Sequence, residues 1–456
     1  MKVIDLFAGA GGLSEGFRRQ GYEIISHVEM DESACFTLKT REAYYYLKER
    51  ENLDIYKKYI TGKITREELY EVIPSNILKR VINKTISDET IEETFELIGN
   101  NDIDIIIGGP PCQAYSLVGR ARDPKRMIDD PRNYLYKQYI RFLKRYNPKL
   151  FIFENVTGII SAQKGKIFKD IKDEMKKAGY NLDFKILNAA DFGVLQNRKR
   201  VILIGWREDI DFSYPVFEEE STNWTINDLF FDLPKIQSGE SIEVGEYSNK
   251  GKEVLREIKI RDPDWDILTQ HSARINNERD LKIYKICAEV WLKERRRVMY
   301  NELPKELITH NNLESFLDRY KVVDGSGLSH TMVAHISKDG HHYIHPDINQ
   351  NRSITVREAA RIQSFPDDYY FEIYRTDAFR QIGNAVPPLM AEKIAYKIKE
   401  LYYKASLILL LFYTEFYIKF KFIPYFFQII KVCSVIIIMS NTIKILYNFL
   451  FLYKSS

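Results

Sequence analysis

The chain has 456 residues, 45% of them hydrophobic and 29% charged, which is long enough for two or three domains with substantial cores. That mixture excludes a disordered or fibrous chain, and a net charge of +3 is too small to argue for nucleic acid by itself, because local patches outweigh the sum. Cys35, Cys112, Cys287 and Cys433 stand without paired or metal-type spacing, which reads as reduced thiols in an intracellular chain. The opening MKVIDLFAGAGG has no signal-peptide layout, since its apolar run breaks at Asp5 and leads into glycines.

In chain order, Lys2 to Phe7 predicts a buried strand that stops at Ala8-Gly9-Ala10-Gly11-Gly12 and turns into a helix. Tyr22 to Val28 predicts a second strand, closed by Glu29. A long Lys/Glu/Tyr-rich stretch from about Thr40 to Ile98 reads as a helical insertion. Ile103 to Ile107 predicts the next strand, stopped by Gly108-Gly109-Pro110-Pro111. Leu150 to Phe153 and Arg200 to Gly205 predict two more, with helices over Tyr134 to Tyr146 and Lys166 to Lys177 between them. Strands alternating with helices imply a mostly parallel sheet covered on both faces. Residues 211–350 lose the alternation and suggest a separate, less regular domain. Regular pattern returns at Ser353, where Thr355 and Glu358 form a capping-box sequence for a helix that ends before Pro366. A last helix is expected from about Pro388 to Tyr403.

Residues 405–456 depart from the rest of the chain. The segment 422–440 (FIPYFFQIIKVCSVIIIMS) approaches the roughly 20 residues of a membrane span. Lys431 within it, with Glu415, Lys419 and Lys421 upstream, argues against a span, since a charge at its centre costs about 3 kcal/mol. A membrane anchor, an extra buried element and an extension translated from AT-rich sequence compete, and the residue types favour the extension.

Four short motifs carry chemistry. The glycine turn Asp5 to Gly12 lets a ligand approach the backbone beside a helix N-terminus, and Glu29 closes the second strand where an acid can accept bonds from ribose hydroxyls. A glycine-rich packing turn with a surface glutamate is the plainer alternative. Gly108-Gly109-Pro110-Pro111-Cys112-Gln113 puts a thiol behind two stiffening prolines at a strand's carboxyl end, although a lone cysteine is commonly structural. Glu154-Asn155, at the end of another strand on the same edge, offers a general acid or else an N-cap or ion pair. Gln196-Asn197-Arg198-Lys199-Arg200 opens a strand on which two arginines, two apart, project to one face, suited to a carbonyl oxygen or phosphate or else forming a solvated basic edge.

Taken in order, DLFAGAGG, GGPPCQ, ENV, QNRKR, TVREAARIQSFPDDY and QIGNAVPP resemble the motif set of the DNA (cytosine-5)-methyltransferases, over residues 1–206 and 350–403. The resemblance implies an α/β, Rossmann-like S-adenosylmethionine-dependent methyltransferase fold, with a mixed, mostly parallel sheet and a smaller irregular target-recognition domain. The expected division is a catalytic domain over 1–210, target recognition over 211–350, a return to the catalytic domain over 351–404, and the atypical tail. S-adenosylmethionine is the implied methyl donor, and no metal is expected. Its implied site takes Phe7 against the adenine, Gly9 and Gly11 near the methionine portion, and Glu29 on the ribose. Asp88 is expected at the adenine amino group with Asp102 as a rival, and Pro110 and Asn384 line the same pocket. Ala8, Gly12, Met30 and Val386 complete the candidates there.

By the same resemblance Cys112 attacks C6 of cytosine, Glu154 bonds and protonates ring N3, and Arg198 holds the base carbonyl oxygen. Arg200, Gln113 and Asn155 are further catalytic candidates, while the base that removes the C5 proton is not legible. The cytosine must leave the duplex stack. Residues 113–131 are the loop expected to close over it, with Arg120, Arg122, Lys125 and Arg126 suited to phosphates. DNA contacts are expected from Ser116, Arg120, Arg122 and Gln196. Lys293-Glu294-Arg295-Arg296-Arg297 is either a phosphate contact or a solvated helix face. His341, His342 and His345 invite a zinc reading, which their irregular spacing and the want of cysteine partners disfavour.

A transfer-RNA cytosine-5 methyltransferase shares the motif order, but the length of region 211–350 favours double-stranded DNA. A silent relative would be expected to have lost Cys112, Glu154 or Arg198, and all are present. The compact body resembles the modification partners of type II restriction systems. A cognate restriction endonuclease is then the expected counterpart, with a monomeric, cytoplasmic, bacterial-type enzyme that has no membrane attachment.

Overall fold

Strand β1 (Lys2–Leu6) is buried along all but its first residue, as expected of an apolar run covered on both faces. In the computed structural model, which describes residues 1–110, 135–220 and 222–419 (residues 404–419 by backbone only), β1 lies inside a seven-stranded sheet. The order is β3 (Val81–Asn83), β2 (Glu23–Glu29), β1, β4 (Ile105–Gly108), β5 (Leu150–Val156), β8 (Lys199–Arg207) and β6 (Tyr180–Asn188). The first five strands are parallel, and β8 runs antiparallel to both β5 and β6. Consecutive strands leave β1 toward β2 on one side and toward β4 on the other, so the topological switch point falls between β1 and β4. Sheets of this kind bind ligands outside the carboxyl ends of the strands at that point. The glycine turn and Gly108-Gly109-Pro110 flank it.

Helix α1 (Gly12–Arg19) follows the glycine turn, and α2 (Glu32–Lys48) follows β2 with Asp31 as its N-cap, accepting from Ala34 N–H at 3.0 Å. Residues 40–98, expected as an all-helical insertion, do hold three short helices: α3 (Leu53–Ile60), α4 (Arg66–Glu71) and α5 (Ser75–Leu78). They also hold edge strand β3, followed by α6 (Ile91–Ile98). Three residues of VIN are too short a run to announce a strand. The inserted helices build a small aromatic core in which Tyr44, Tyr56 and Leu69 pack with Trp265.

On one face of the sheet, Ile4, Leu6, Ile106, Phe151, Phe153 and Leu203 pack against α7 (Leu135–Tyr146) and α8 (Lys166–Lys177). β6 has only its first residue buried, and its Asn, Asp and Lys positions hide the alternation of an edge strand.

After β8 the chain becomes irregular. α9 (Ile226–Phe230) is followed by β9 (Ser241–Gly245), α10 (Val254–Glu257) and β10 (Leu268–Ser272), with β9 and β10 forming an antiparallel pair. α11 (Glu278–Glu294) carries Ile283, Tyr284 and Cys287 into a separate apolar cluster with Tyr300, Tyr320 and Ile344. Strand β7 (Gln196–Asn197) is extended by β11 (Ser329–His330) in parallel, which joins this region to the threshold of β8.

α12 (Val356–Ile362) opens with the predicted capping box, Thr355 and Glu358 each bonding the other's backbone N–H. α13 (Arg375–Asn384) follows. α14 (Pro388–Lys419) runs further than the expected Tyr403, with neither proline nor glycine before Pro424 to stop it. Contacts gather Met1–Ile398 into one compact unit and Lys399–Ser456 into another. Among the described residues no helix is long and apolar enough to cross a membrane.

Candidate active site

The turn after β1 is shaped by backbone geometry that few residues accept. Phe7, Gly9 and Gly11 have φ of 55°, 53° and 73°, values that glycine adopts without steric penalty. Gly11 N–H closes the turn on the Ala8 carbonyl at 2.8 Å, and Ala8 N–H is tied to Val28 at 3.2 Å. A Cβ on Gly9 would meet nothing within 4 Å, so that side of the turn is open. Gly12 serves packing: its Cβ would stand 2.2 Å from the Val386 carbonyl oxygen. Tyr369, from the SFPDDYY segment, donates its hydroxyl to the Ala10 carbonyl and so fixes the turn from below. The sequence carries that signal only as a tyrosine at the end of a motif.

Glu29 stands across this turn. Its Oε2 accepts from Gly9 N–H at 2.8 Å, and its Oε1 accepts from Met30 and Asp31 N–H at 2.9 and 2.8 Å. Burial pushes its carboxyl above the ordinary value, and these three N–H groups hold it partly back. A carboxylate offers about four lone-pair directions, so one remains for a hydroxyl guest. Met30 beside it is 62% exposed, a large apolar side chain open to a flat partner. An open glycine turn, an acid with a spare acceptor and an exposed apolar side chain fit a nucleoside-bearing cofactor such as S-adenosylmethionine.

Asp88 follows the carboxyl end of β3 and bonds Gln138 at 2.9 Å and Arg141 at 3.0 Å, both on α7. The rival Asp102 precedes β4 and therefore lies at the amino edge of the sheet, away from the turn. Asn384 is exposed at the end of α13, and Val386 is buried against Gly12.

Beyond the switch point, Gly109 closes β4 against β5, since a Cβ there would meet the Glu154 carbonyl oxygen at 2.5 Å and its carboxylate at 2.7 Å. Asn155 is buried and donates Nδ2–H to the Pro110 carbonyl at 3.3 Å, anchoring the chain just before Cys112. Cys112 itself, with Gln113, Ser116, Arg120 and Arg122, lies outside the described residues. Glu154 is ion-paired to Arg200 Nε at 3.0 Å, with side-chain exposures of 14% and 11%. This pair is therefore reachable from the carboxyl edge.

The two arginines of QNRKR do not share a setting. Arg198 stands between β7 and β8, is fully buried, and donates to the carbonyl oxygens of Met332 and, at 3.2 Å, Gly383. Burial, with Arg200 nearby, drives its guanidinium well below the ordinary value. Its Nε is buried without a hydrogen-bond partner, so the guanidinium is enclosed but not fully engaged. Gln196 is likewise fully buried, bonding Gln363 at 2.6 Å and accepting from Met332 N–H at 2.8 Å.

The basic run after α11 is already engaged. Arg295 pairs with Asp324, Arg296 with Glu294 and Glu302, and Arg297 with Asp318. The three histidines take separate partners or neighbours: His341 bonds Tyr284 at 2.8 Å, the His342 carbonyl accepts from His330, and His345 lies 3.4 Å from Glu358.

Comparison with known proteins agrees with this geometry. The model of the C-5 cytosine-specific DNA methylase family matches residues 1–73 and 65–400. The type II methyltransferase M.Bpa9945I of Bacillus paralicheniformis is 42% identical over 440 residues, covering 88% of this chain and 99% of the relative. The type II methyltransferase M.DdeI of Desulfomicrobium norvegicum is 33% identical over 430 residues, covering 90% and 91%. A crystal structure described as a prophage-encoded DNA modification methyltransferase (E. coli) superposes with a TM-score of 0.56 at 24% identity, covering 88% of this chain and 99% of that one, which bears on the fold. A family match that runs from the glycine turn to the return of α14, with relatives of this likeness along nearly their whole length, makes the chain a member of the C-5 cytosine-specific DNA methylases, a DNA (cytosine-5)-methyltransferase.

Proposed function

We propose that Cys112, Glu154 and Arg200 form the reacting centre, and that Arg198 and Gln196 are the frame that presents Arg200. The carrying observation is the Glu154–Arg200 pair at 3.0 Å on the carboxyl edge, next to the anchored Pro110. The Cys112 thiolate adds to C6 of a cytosine swung out of the stack, forming a sulfur–carbon bond and moving electron density toward C5. Glu154 bonds and protonates ring N3 as that density develops, and Arg200 holds the carboxyl group and the base carbonyl oxygen. S-adenosylmethionine, held by Phe7, Gly9, Gly11, Glu29 and Met30 with Asp88 at the adenine end, supplies an electrophilic methyl group. C5 takes that methyl group; loss of the C5 proton, return of the N3 proton to Glu154 and departure of the Cys112 sulfur as thiolate then restore the ring. Residues 211–350 supply target recognition, through contacts to base edges.

The named relatives are type II methyltransferases. On that ground we place the enzyme in the cytoplasm as the monomeric, protective partner of a cognate restriction endonuclease. Plasmid DNA treated with the pure protein and read by bisulfite sequencing should show methylcytosine at one short sequence. Unmethylated plasmid under conditions that methylate a transfer RNA would overturn this reading. The division of labour has its own test. Arg200→Met should lower kcat by about 100-fold or more with the melting temperature nearly unchanged, whereas Arg198→Met should lower the melting temperature itself. The reverse pattern would return the base to Arg198.

A further inference from the structure

The glycine turn is held from two sides, and both holds lead to one side chain. On one side the Ala10–Gly11 peptide is pinned at both ends. The Tyr369 hydroxyl donates to its carbonyl, and its N–H donates to the Ala8 carbonyl at 2.8 Å. On the other side Glu15, in the first turn of α1, donates its backbone N–H to the Gly11 carbonyl at 2.8 Å. Arg41, on α2 and only 7% exposed, touches both holds. It donates Nε–H to Glu15 Oε2 at 2.9 Å and Nη2–H to Glu15 Oε1 at 2.7 Å. Its Nη1–H reaches Asp368, the residue before Tyr369, at 2.9 Å, and its guanidinium carbon stands 4.7 Å from the centre of the Tyr369 ring. The Tyr44 ring lies against the same cation at 4.1 Å. Burial opposes the charge on Glu15, but Arg41 and Arg19 outweigh it and bring the carboxyl down to about 2, so the grip is ionic at neutral pH.

A guanidinium is planar with donors in fixed directions, so it sets its partners in angle as well as distance. At Gly11 a Cβ would strike Leu38 at 2.7 Å and the Tyr369 hydroxyl at 3.2 Å, whereas at Gly9 it would meet nothing within 4 Å. The turn is thus braced at Gly11 and open at Gly9. We infer that Arg41 is a positioning residue for the cofactor: through Tyr369 on one side and Glu15 on the other, it fixes the Ala10–Gly11 peptide and so preforms the turn. This role rests on the reading given above, in which that turn holds S-adenosylmethionine. A brace of this kind acts before the guest arrives, since conformations removed from the free turn need not be given up on binding. Loosening it weakens the cofactor's hold and leaves the reacting atoms as they were.

Binding is read without turnover, on the full chain, by calorimetric titration with S-adenosylhomocysteine, the cofactor without its methyl group. Wild type must bind it and Glu29→Ala must bind it more weakly; otherwise the reading of the turn fails and takes the role of Arg41 with it. Tyr369→Phe, which removes only the hydroxyl at Ala10, should then raise Kd about ten-fold, the worth of roughly one hydrogen bond. Arg41→Met should raise it at least as much. The double variant should fall well short of the roughly hundred-fold that independent losses would give. In turnover, KM for S-adenosylmethionine should rise while kcat and KM for DNA stay near wild type. Arg352→Met, which breaks a buried ion pair with Glu358, is the control for stability alone. It should lower the melting temperature and leave the Kd for S-adenosylhomocysteine unchanged. If Arg41→Met does not fold, Arg41→Lys, which keeps the charge without the fork, decides together with Tyr369→Phe. Unchanged affinity in those two variants, fully additive losses, or an equal loss in Arg352→Met would overturn the role and leave Arg41 a structural ion pair.

Discussion

The core of the sheet and the seat of the irregular region on it are made of opposite materials. The sheet is clamped by aliphatic and aromatic side chains, among them Ile4, Ile106, Phe151 and Leu203. Where α12 meets region 211–272, the contact is made by three fully buried arginines. Arg352 grips Glu358 with two bonds of 2.8 Å and reaches the Ile236 carbonyl at 2.9 Å. Arg357 donates to the Thr269 carbonyl and hydroxyl at 3.1 and 2.9 Å. Arg361 joins Asp232, Asp367 and the Leu229 carbonyl. Apolar burial scales with area and tolerates small shifts in angle. A guanidinium fork binds well in one orientation only. The difference teaches that the catalytic sheet is built for stability, while the irregular region is seated on it by bonds that define a direction. That arrangement suits the role proposed above for this region, in which base-reading groups are held at a fixed angle to the proposed reacting centre.

The comparison breaks most sharply at Arg361. Arg361→Met leaves Asp232 and Asp367 buried without their shared partner, and stability should fall by about 3–5 kcal/mol. A lower urea midpoint with an unchanged m-value would report it, whereas a loss below about 1 kcal/mol would show that the junction contributes little. The sheet has one polar seat of its own, which sharpens the contrast. His27 on β2 sits between Glu42 at 3.2 Å and Asp5 at 3.5 Å. Burial alone would lower its pKa, but the Asp5 and Glu42 carboxylates on either side outweigh that and raise it above 6.5. A raised folded value means stability present in full below the unfolded pKa and lost as pH climbs through the folded one. His27→Asn should therefore cost roughly 2 kcal/mol at pH 6 and progressively less toward pH 9. A gap of equal size at both ends would contradict the account. The smallest effect is expected in the apolar core, where Ile106→Val should cost about 1 kcal/mol with activity retained.

Much of the sheet is legible in the sequence because β1, β2, β4, β5 and β8 are apolar runs with a glycine or an acid at or near their ends. The capping box at Thr355 is legible for a similar reason, since its two members must stand three apart. β3 and β6 are not, one being three residues long and the other an edge strand with polar residues along it. Spacing puts Arg198 and Arg200 on one strand, but it does not say that the strand breaks at Arg198 or that Met332 and Gly383 enclose it. Nothing local in the sequence says that Arg352, Arg357 and Arg361 are buried, since arginine is rarely fully buried unless paired. Their partners Asp232 and Thr269 lie more than eighty residues away and carry no local signal. Asp88 is ranked ahead of Asp102 by motif order alone; that the two lie on opposite edges of the sheet is visible only once the strand directions are known.

The contacts around the glycine turn have a kinetic consequence. Tyr369 reaches Ala10 across a separation of 359 residues, and Gly12 waits for Val386. The opening motif of the chain thus owes its final form to almost the last segment of the compact unit, a closure of very high contact order. A ribosome that has delivered β1 to β8 has made the strands but not the finished glycine turn. That turn sets late, when the returning segment folds back over the start.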